Sequence, residues 1–268
     1  MSYNIGMSIF DFLSPTKKRR PPKIGLALGS GGFKGGAHLG AITALYEEGF
    51  EFSYVAGTSV GALVGAFVAM GFSPKDMLDL VKELGTFDLK NRLSLPLEGF
   101  SIEGQIDRII GGKGFENLKI GFTAVATDLD SGKEVLLSSG ELSEAVAASC
   151  AICPPFKPVK IGDKRLIDGA FVNAVPADVV KNMGADGVVA VSLGSHRLND
   201  GLKKNLDLVY KNNGIKAMDR LWQIKYADLL IEPDLEGLSA ASPKDFLTAY
   251  RIGYEAAKEK INDLKSMI

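Results

Sequence analysis

The sequence predicts an α/β fold: a mostly parallel sheet with helices on both faces. Three observations carry this. Short apolar runs alternate with longer segments of helical periodicity, as in βαβ chains. The runs are continuously apolar, as strands covered on both faces are. Glycines cluster where strand-like segments give way to helical ones.

The segment from Lys23 to Leu28 reads as a buried strand running straight into glycines. Ala37 to Glu48 follows, with Leu39, Ile42, Leu45 and Tyr46 at helical spacing. Phe52 to Ala56 is a second short strand. Val60 to Met70, dense in Ala, Val, Leu and Phe, is a helix buried on most sides. Ser73 caps a third helix from Pro74 to Gly85, with proline in its favoured first position. Ile120 to Ala126 and Glu134 to Leu137 are strands, with Asp130-Ser131-Gly132 turning between them. Glu141 to Ser149 has helical composition, and Lys164 to Ile167 and Gly187 to Leu193 are further strands. Gly194 to Gly214 is a polar loop, and the stretch from Ser242 onward, through Tyr250, Ile252 and Ile261, is an amphipathic helix. No internal repeat interrupts this order.

The 268 residues suit one α/β domain, read as residues 23–268 behind a tail of residues 1–22. Hydrophobic residues make up 46%, enough for a core that excludes water from a site. A net charge of −1 argues against nucleic-acid binding through the whole surface. No apolar run reaches transmembrane length. The start is not a secretory signal, because the apolar stretch Ile5 to Leu13 precedes its charges, Lys17-Lys18-Arg19-Arg20. That basic cluster reads as a loose tail or as a contact with an anionic membrane surface. Cys150 and Cys153 have C-x-x-C spacing but lack the second pair that a zinc site needs. They read as reduced thiols of a cytoplasmic protein, and no metal or cofactor is expected.

Gly57-Thr58-Ser59-Val60-Gly61 matches G-x-S-x-G between a strand and a helix. A sharp strand-to-helix turn needs glycines around the serine, so that no Cβ obstructs the bend and the hydroxyl stands above the sheet. The helix start favours developing negative charge there. Gly29-Ser30-Gly31-Gly32-Phe33-Lys34-Gly35-Gly36 fills the first strand-to-helix junction. A dinucleotide fingerprint fails because Lys34 stands where its last glycine belongs, and a P-loop fails because Gly35 follows that lysine. What remains is a cradle of backbone N–H groups for an oxyanion, or a loop permitting tight packing.

A nucleophilic serine needs a base. His38 lies inside the first helix and reads as packing or capping. Ser59, Asp168 and His196 fall in the Ser…Asp…His order of α/β-hydrolases, but His196 sits in a polar loop. Asp168-Gly169-Ala170 follows an apolar stretch and places an aspartate on a close turn. An Asp-Gly hairpin would look the same.

These motifs, in this order, make the chain resemble the patatin-like phospholipase family from about Lys23 to about Ile261. The family's G-G-G-x-[RK]-G motif is read as Ser30 to Gly35, its lipase box as Gly57 to Gly61 and its D-G-[GA] motif as Asp168 to Ala170. Lesser matches are Ala126 to Leu129, Ala148 to Ile152 and Ile231 to Asp234. The resemblance implies a three-layer α/β fold and a serine acyl hydrolase acting on fatty-acyl esters of phospholipids or related lipids. It implies Ser59 as nucleophile and Asp168 as base without histidine. N–H groups of Gly31, Gly32 and Phe33 would form the oxyanion hole, with Ser30, Lys34 and Gly35 completing the loop and Gly57 and Gly61 shaping the elbow. Acyl transfer, thioesterase action or lipid binding without catalysis would use the same frame. Three positions depart from the family's usual residues: Ser30 replaces a glycine, Lys34 stands in for the more usual arginine, and Cys153 stands where proline is common. Ser30 would be strained only if its backbone needs φ > 0, and lysine lacks arginine's bidentate fork.

Overall fold

The structure, a computed structural model, describes residues 20–86, 102–152, 156–194 and 222–267. The strands are β1 (Ile24–Leu28), β2 (Tyr54–Thr58), β3 (Gly121–Asp128), β4 (Glu134–Leu137), β5 (Val159–Ile161), β6 (Lys164–Asp168), β7 (Gly187–Val191) and β8 (Leu229–Ile231). They form one sheet in the order β5-β6-β3-β2-β1-β7-β8, with β4 paired to β3. Strands β8, β7, β1, β2 and β3 are parallel; β4, β5 and β6 add antiparallel pairs at the β3 end.

The helices are α1 (Gly36–Glu47), α2 (Val60–Met70), α3 (Pro74–Thr86), α4 (Ile102–Ile110), α5 (Leu142–Cys150), α6 (Ala177–Asn182) and α7 (Phe246–Lys265). Because strand residues alternate between faces, the sheet feeds two cores. Leu26, Leu28, Val55, Val189 and Val191 face the larger one, shared with residues of α1, α2, α5 and α7. Ala27, Ala56, Val188 and Ala190 face the smaller one, covered by Val179 and Val180 of α6. Helices therefore lie on both faces, which is the three-layer α/β arrangement.

On the larger face α1 and α7 touch backbone to backbone. A Cβ on Gly36 would collide with the Phe246 carbonyl, one on Gly40 with that of Tyr250, and one on Gly253 with that of Ala37. The seam is then fastened at its edges by Tyr250 Oη to Thr43 Oγ1 at 3.2 Å and Tyr254 Oη to Glu47 at 2.6 Å.

Three of the expected boundaries shift. β2 runs through Gly57 and Thr58 because both pair with β3, whereas the sequence reads this glycine as the start of the turn. α1 begins at Gly36. The C-terminal helix begins at Phe246, behind a single turn from Pro243 to Asp245. α4, α6, β5 and β8 were not foreseen; α4 carries Ile102, Ile106 and Ile110 buried on one face. The Lys17-Lys18-Arg19 part of the basic cluster, Cys153, His196 and most of the polar loop after Gly194 lie outside the described residues.

Gly253→Ala should push the two helices apart and destabilise the protein by about 1–3 kcal/mol. Urea unfolding monitored by circular dichroism would measure this, and an unchanged midpoint would rule out the backbone seam.

Candidate active site

β2 and β6 approach each other along one edge of β3. Val125 pairs with Thr58 of β2 and Leu136 of β4, while the next residue, Ala126, pairs with Val135 of β4 and Asp168 of β6. Since β4 occupies one edge throughout, β2 and β6 share the other in succession. β2 runs parallel to β3 and β6 antiparallel, so their C-terminal ends converge. Ser59 follows the end of one, and Asp168 is the end of the other.

Ser59 turns the chain from β2 into α2. It is the only non-glycine residue with positive φ among the described residues, at φ 57° and ψ −126°. Such a conformation costs on the order of 1–3 kcal/mol and persists only where the surroundings impose it. They do so here through close approach: a Cβ on Gly57 would collide with the Gly61 backbone, and one on Gly61 with the Leu28 carbonyl. The Ser59 carbonyl accepts the first helical hydrogen bonds, from Ala62 N–H at 2.8 Å and Leu63 N–H at 3.2 Å. The side chain therefore stands at the positive end of α2.

Asp168 is 1% exposed. Its Oδ1 accepts from the Ala170 N–H at 2.8 Å. Burial raises its pKa from 3.8 to about 6, opposed by the Ser59 hydroxyl and the Ala170 N–H. The Ser59 hydroxyl is near enough to lower this pKa, while Oδ2 makes no full hydrogen bond among the described residues. The backbone of Asp168 is tied on both sides, its N–H to Ala151 at 3.0 Å and its carbonyl to Thr127 Oγ1 at 2.8 Å.

The glycine loop lies against the same turn. A Cβ on Gly35 would collide with the Val60 side chain, and the position of a Cβ on Gly61 also crowds the Gly29 carbonyl. Within the loop, Gly29 N–H donates to Val191 at 3.0 Å and Ser30 N–H to Ala174 at 2.9 Å. Phe33 requires a correction. Its N–H, expected in the oxyanion hole, donates to the Ala240 carbonyl at 2.9 Å and is not free for a ligand. Gly31 and Gly32 donate their N–H groups to no partner among the described residues. Gly32 needs to be glycine, having φ 57° and the Ala240 carbonyl where a Cβ would lie. Ser30 does not have positive φ, so its replacement of glycine brings no backbone strain. Lys34 Nζ donates to the Leu235 carbonyl at 3.3 Å.

His38 is buried beneath this loop, its Nε2 2.6 Å from the Gly29 carbonyl. A carbonyl can only accept, so Nε2 carries the proton. Burial lowers the pKa to about 4, against the opposing effect of that hydrogen bond. The ring is thus neutral near pH 7 and holds the loop from below. Cys150 is also near the site; burial, reinforced by the Asp168 charge, pushes its thiol well above the usual range, which keeps it protonated. Among the described residues no group of three His, Cys, Asp or Glu side chains is arranged to hold a metal ion.

Two contributors were not legible as such. Thr58 Oγ1 donates to the Asn173 carbonyl at 2.8 Å, fastening β2 to the segment after Asp168. Ser149 Oγ accepts from the Ser59 N–H at 2.9 Å. The sequence marks Ser149 only as part of a lesser family match.

Comparison of the whole chain with known proteins gives its family. Residues 26–181 match the model of the patatin-like phospholipase family, and the chain belongs to that family. It is 32% identical over 219 residues to an uncharacterised NTE family protein of Mycobacterium tuberculosis, covering 79% of this chain and 61% of that one. Patatin-like phospholipase domain-containing protein 7 of Rattus norvegicus is 32% identical over 191 residues, 66% of this chain and 14% of that protein. The chain thus spans less than two thirds of the length of these relatives. The crystal structure of VipD from Legionella pneumophila has the same fold, with a TM-score of 0.56 at 15% identity, covering 91% of this chain and 67% of that one.

Two expectations follow from this geometry. Ser59→Gly should be more stable than Ser59→Ala by on the order of 1 kcal/mol, since both lack the hydroxyl and only glycine relieves the positive φ. Thermal unfolding of the pair measures the difference, and equal stabilities would remove the strain. The raised pKa of Asp168 means that the folded state binds more protons than the unfolded between pH 3.8 and about 6. Stability contributed by this group is present below pH 3.8, falls as pH rises to about 6 and is level above. Asp168→Asn should therefore gain roughly 3 kcal/mol over the wild type at pH 8, a gain that vanishes near pH 4 in denaturant titrations.

Proposed function

We propose that the chain is a serine acyl hydrolase cleaving fatty-acyl ester bonds of phospholipids or related lipids. The observation that carries this reading is the convergence of Ser59 and Asp168 on one edge of β3, beside two unengaged N–H groups of the glycine loop. Family membership supports the lipid substrate. In the first step Asp168 accepts the Ser59 proton as the hydroxyl oxygen attacks the ester carbonyl. The charge that develops on the carbonyl oxygen is met by Gly31 and Gly32 N–H groups, and such donors are each worth roughly 3–4 kcal/mol in acyl transfer. Collapse of the tetrahedral intermediate breaks the ester bond, and the proton held by Asp168 passes to the departing alcohol. Water then attacks the acyl-enzyme, giving a proton to Asp168; as the acyl–Oγ bond breaks that proton passes to Ser59 Oγ, and the fatty acid leaves with serine and carboxylate both restored.

A carboxylate with a pKa of about 6 suits this role better than an ordinary one. It is a stronger base, yet still ionised at neutral pH. The exposed Phe33 on the glycine loop and exposed Leu247 on α7 would favour peripheral contact with a lipid surface. No helix among the described residues is long and apolar enough to cross a membrane.

Labelling with a fluorophosphonate and turnover of p-nitrophenyl esters test the reading. The wild type should label at Ser59, and kcat/KM should rise tenfold per pH unit below about pH 6 and level off above it, as a base with that pKa requires. Asp168→Asn should lose roughly 10²–10⁴-fold in kcat. A wild type that neither labels nor turns over would end the hydrolase reading. Full activity in Asp168→Asn with loss in His196→Ala would transfer the base to histidine.

A further inference from the structure

The Ser59 turn is held by a group that the mechanism does not use. Ser149, on the last turn of α5, is fully buried, and its hydroxyl makes two hydrogen bonds. It accepts from the Ser59 backbone N–H at 2.9 Å and donates to the Val125 carbonyl at 2.6 Å. Val125 is the β3 partner of Thr58, the last paired residue of β2. One step further the chain turns away at Ser59, and its N–H leaves the reach of the ladder. The Ser149 hydroxyl occupies the gap, so a buried donor and a buried acceptor that would otherwise lack partners are both satisfied.

The same helix end holds the second half of the site. The carbonyl of Ala151 accepts the Asp168 N–H at 3.0 Å, and Gly169 packs so closely on the Val125 carbonyl that a Cβ there would collide with it. Ser59, Asp168 and the Val125 carbonyl are thereby referred to one short segment, residues 149–151. The Ser59 N–H, committed to Ser149, is also withdrawn from any oxyanion, which leaves that task to the glycine loop.

We propose that Ser149 is a positioning residue of the reaction, whose hydroxyl extends the β2–β3 ladder past the strained turn and fixes where Ser59 Oγ stands relative to Asp168. It exchanges no proton with substrate and touches none of the reacting atoms. The inference rests on the reading of Ser59 as nucleophile. It differs from a packing role in what it predicts, because a misplacement of about 1 Å costs on the order of 100-fold in rate without weakening substrate binding.

The test compares Ser149→Ala, Ser149→Cys and Ser149→Thr in the full chain by p-nitrophenyl ester kinetics, fluorophosphonate labelling rate and Tm. In Ser149→Ala, kcat and the labelling rate should fall together by roughly 10- to 100-fold, with KM within about twofold. Ser149→Thr, which keeps the hydroxyl, should recover most of the rate. Thr43→Val, which removes the helix hydroxyl bonded to Leu39 at 2.7 Å, should lower Tm and leave kcat intact. A folded Ser149→Ala with wild-type kcat and labelling rate, whatever its Tm, would overturn the proposal. So would a folded Ser149→Thr as slow as the alanine variant. If Ser149→Ala does not fold, Ser149→Cys carries the test: its weaker hydrogen bonds should lower kcat at near wild-type Tm, and an unchanged kcat would overturn it. A wild type that fails to label would instead remove the hydrolase reading, a separate result.

Discussion

The site depends on one edge of β3 serving two strands in turn. β2 occupies it as far as Val125 and β6 takes it over from Ala126. Opposite strand directions then bring two C-terminal ends face to face, which is how residues from distant parts of the chain meet without any loop reaching across. In an open parallel sheet the strand ends at this side normally lie next to one another and face outward. Here the antiparallel β6 supplies a partner from along the same line. The register leaves no freedom for the pair: a slip of one residue would turn Asp168 to the other face.

This geometry also explains the electrostatics. Two strand ends meet inside a sheet edge, so Asp168 is buried and its charge disfavoured. A carboxylate without compensation would neutralise at physiological pH. The Ser59 hydroxyl and the Ala170 N–H, the latter presented because Gly169 lets the chain turn tightly against Val125, keep the rise moderate. The fold thus disfavours the Asp168 charge, while the Ser59 hydroxyl and one backbone donor keep the carboxylate ionised near neutrality.

How much of this the sequence revealed follows from the range of each constraint. The Ser59 turn was legible because its requirement is local: glycines two residues either side of a serine, between a strand and a helix. The parallel core was legible from continuous apolar runs. Asp168 was not legible in that way, because an Asp-Gly turn looks the same in a hairpin; its register beside Thr58 is a property of the sheet, and only the family resemblance supplied it. Phe33 was misread since its N–H is claimed by Ala240, far away in the chain. Ser149 bears no signature of its own, its importance lying in two backbone groups it bridges. α4 was overlooked although Ile102, Ile106 and Ile110 recur at helical spacing.

The claim of Ala240 on Phe33 belongs to a set of contacts that anchors the glycine loop. Three contacts tie this loop to the segment before α7: Phe33 N–H to Ala240, Lys34 Nζ to Leu235, and the close approach of Gly32 to the Ala240 carbonyl. Beneath it His38 fixes Gly29. The loop is therefore held from two sides, and its two unengaged N–H groups belong to the residues between those anchors. Seen this way, lysine in place of arginine at position 34 loses little. A bidentate fork is matched to a carboxylate or phosphate, whereas the Leu235 carbonyl is a single acceptor that one ammonium proton satisfies. Ser30 is equally tolerated, because the left-handed backbone that demands glycine falls two residues later, at Gly32. These two departures from the family pattern, Ser30 and Lys34, sit where the backbone geometry does not depend on them.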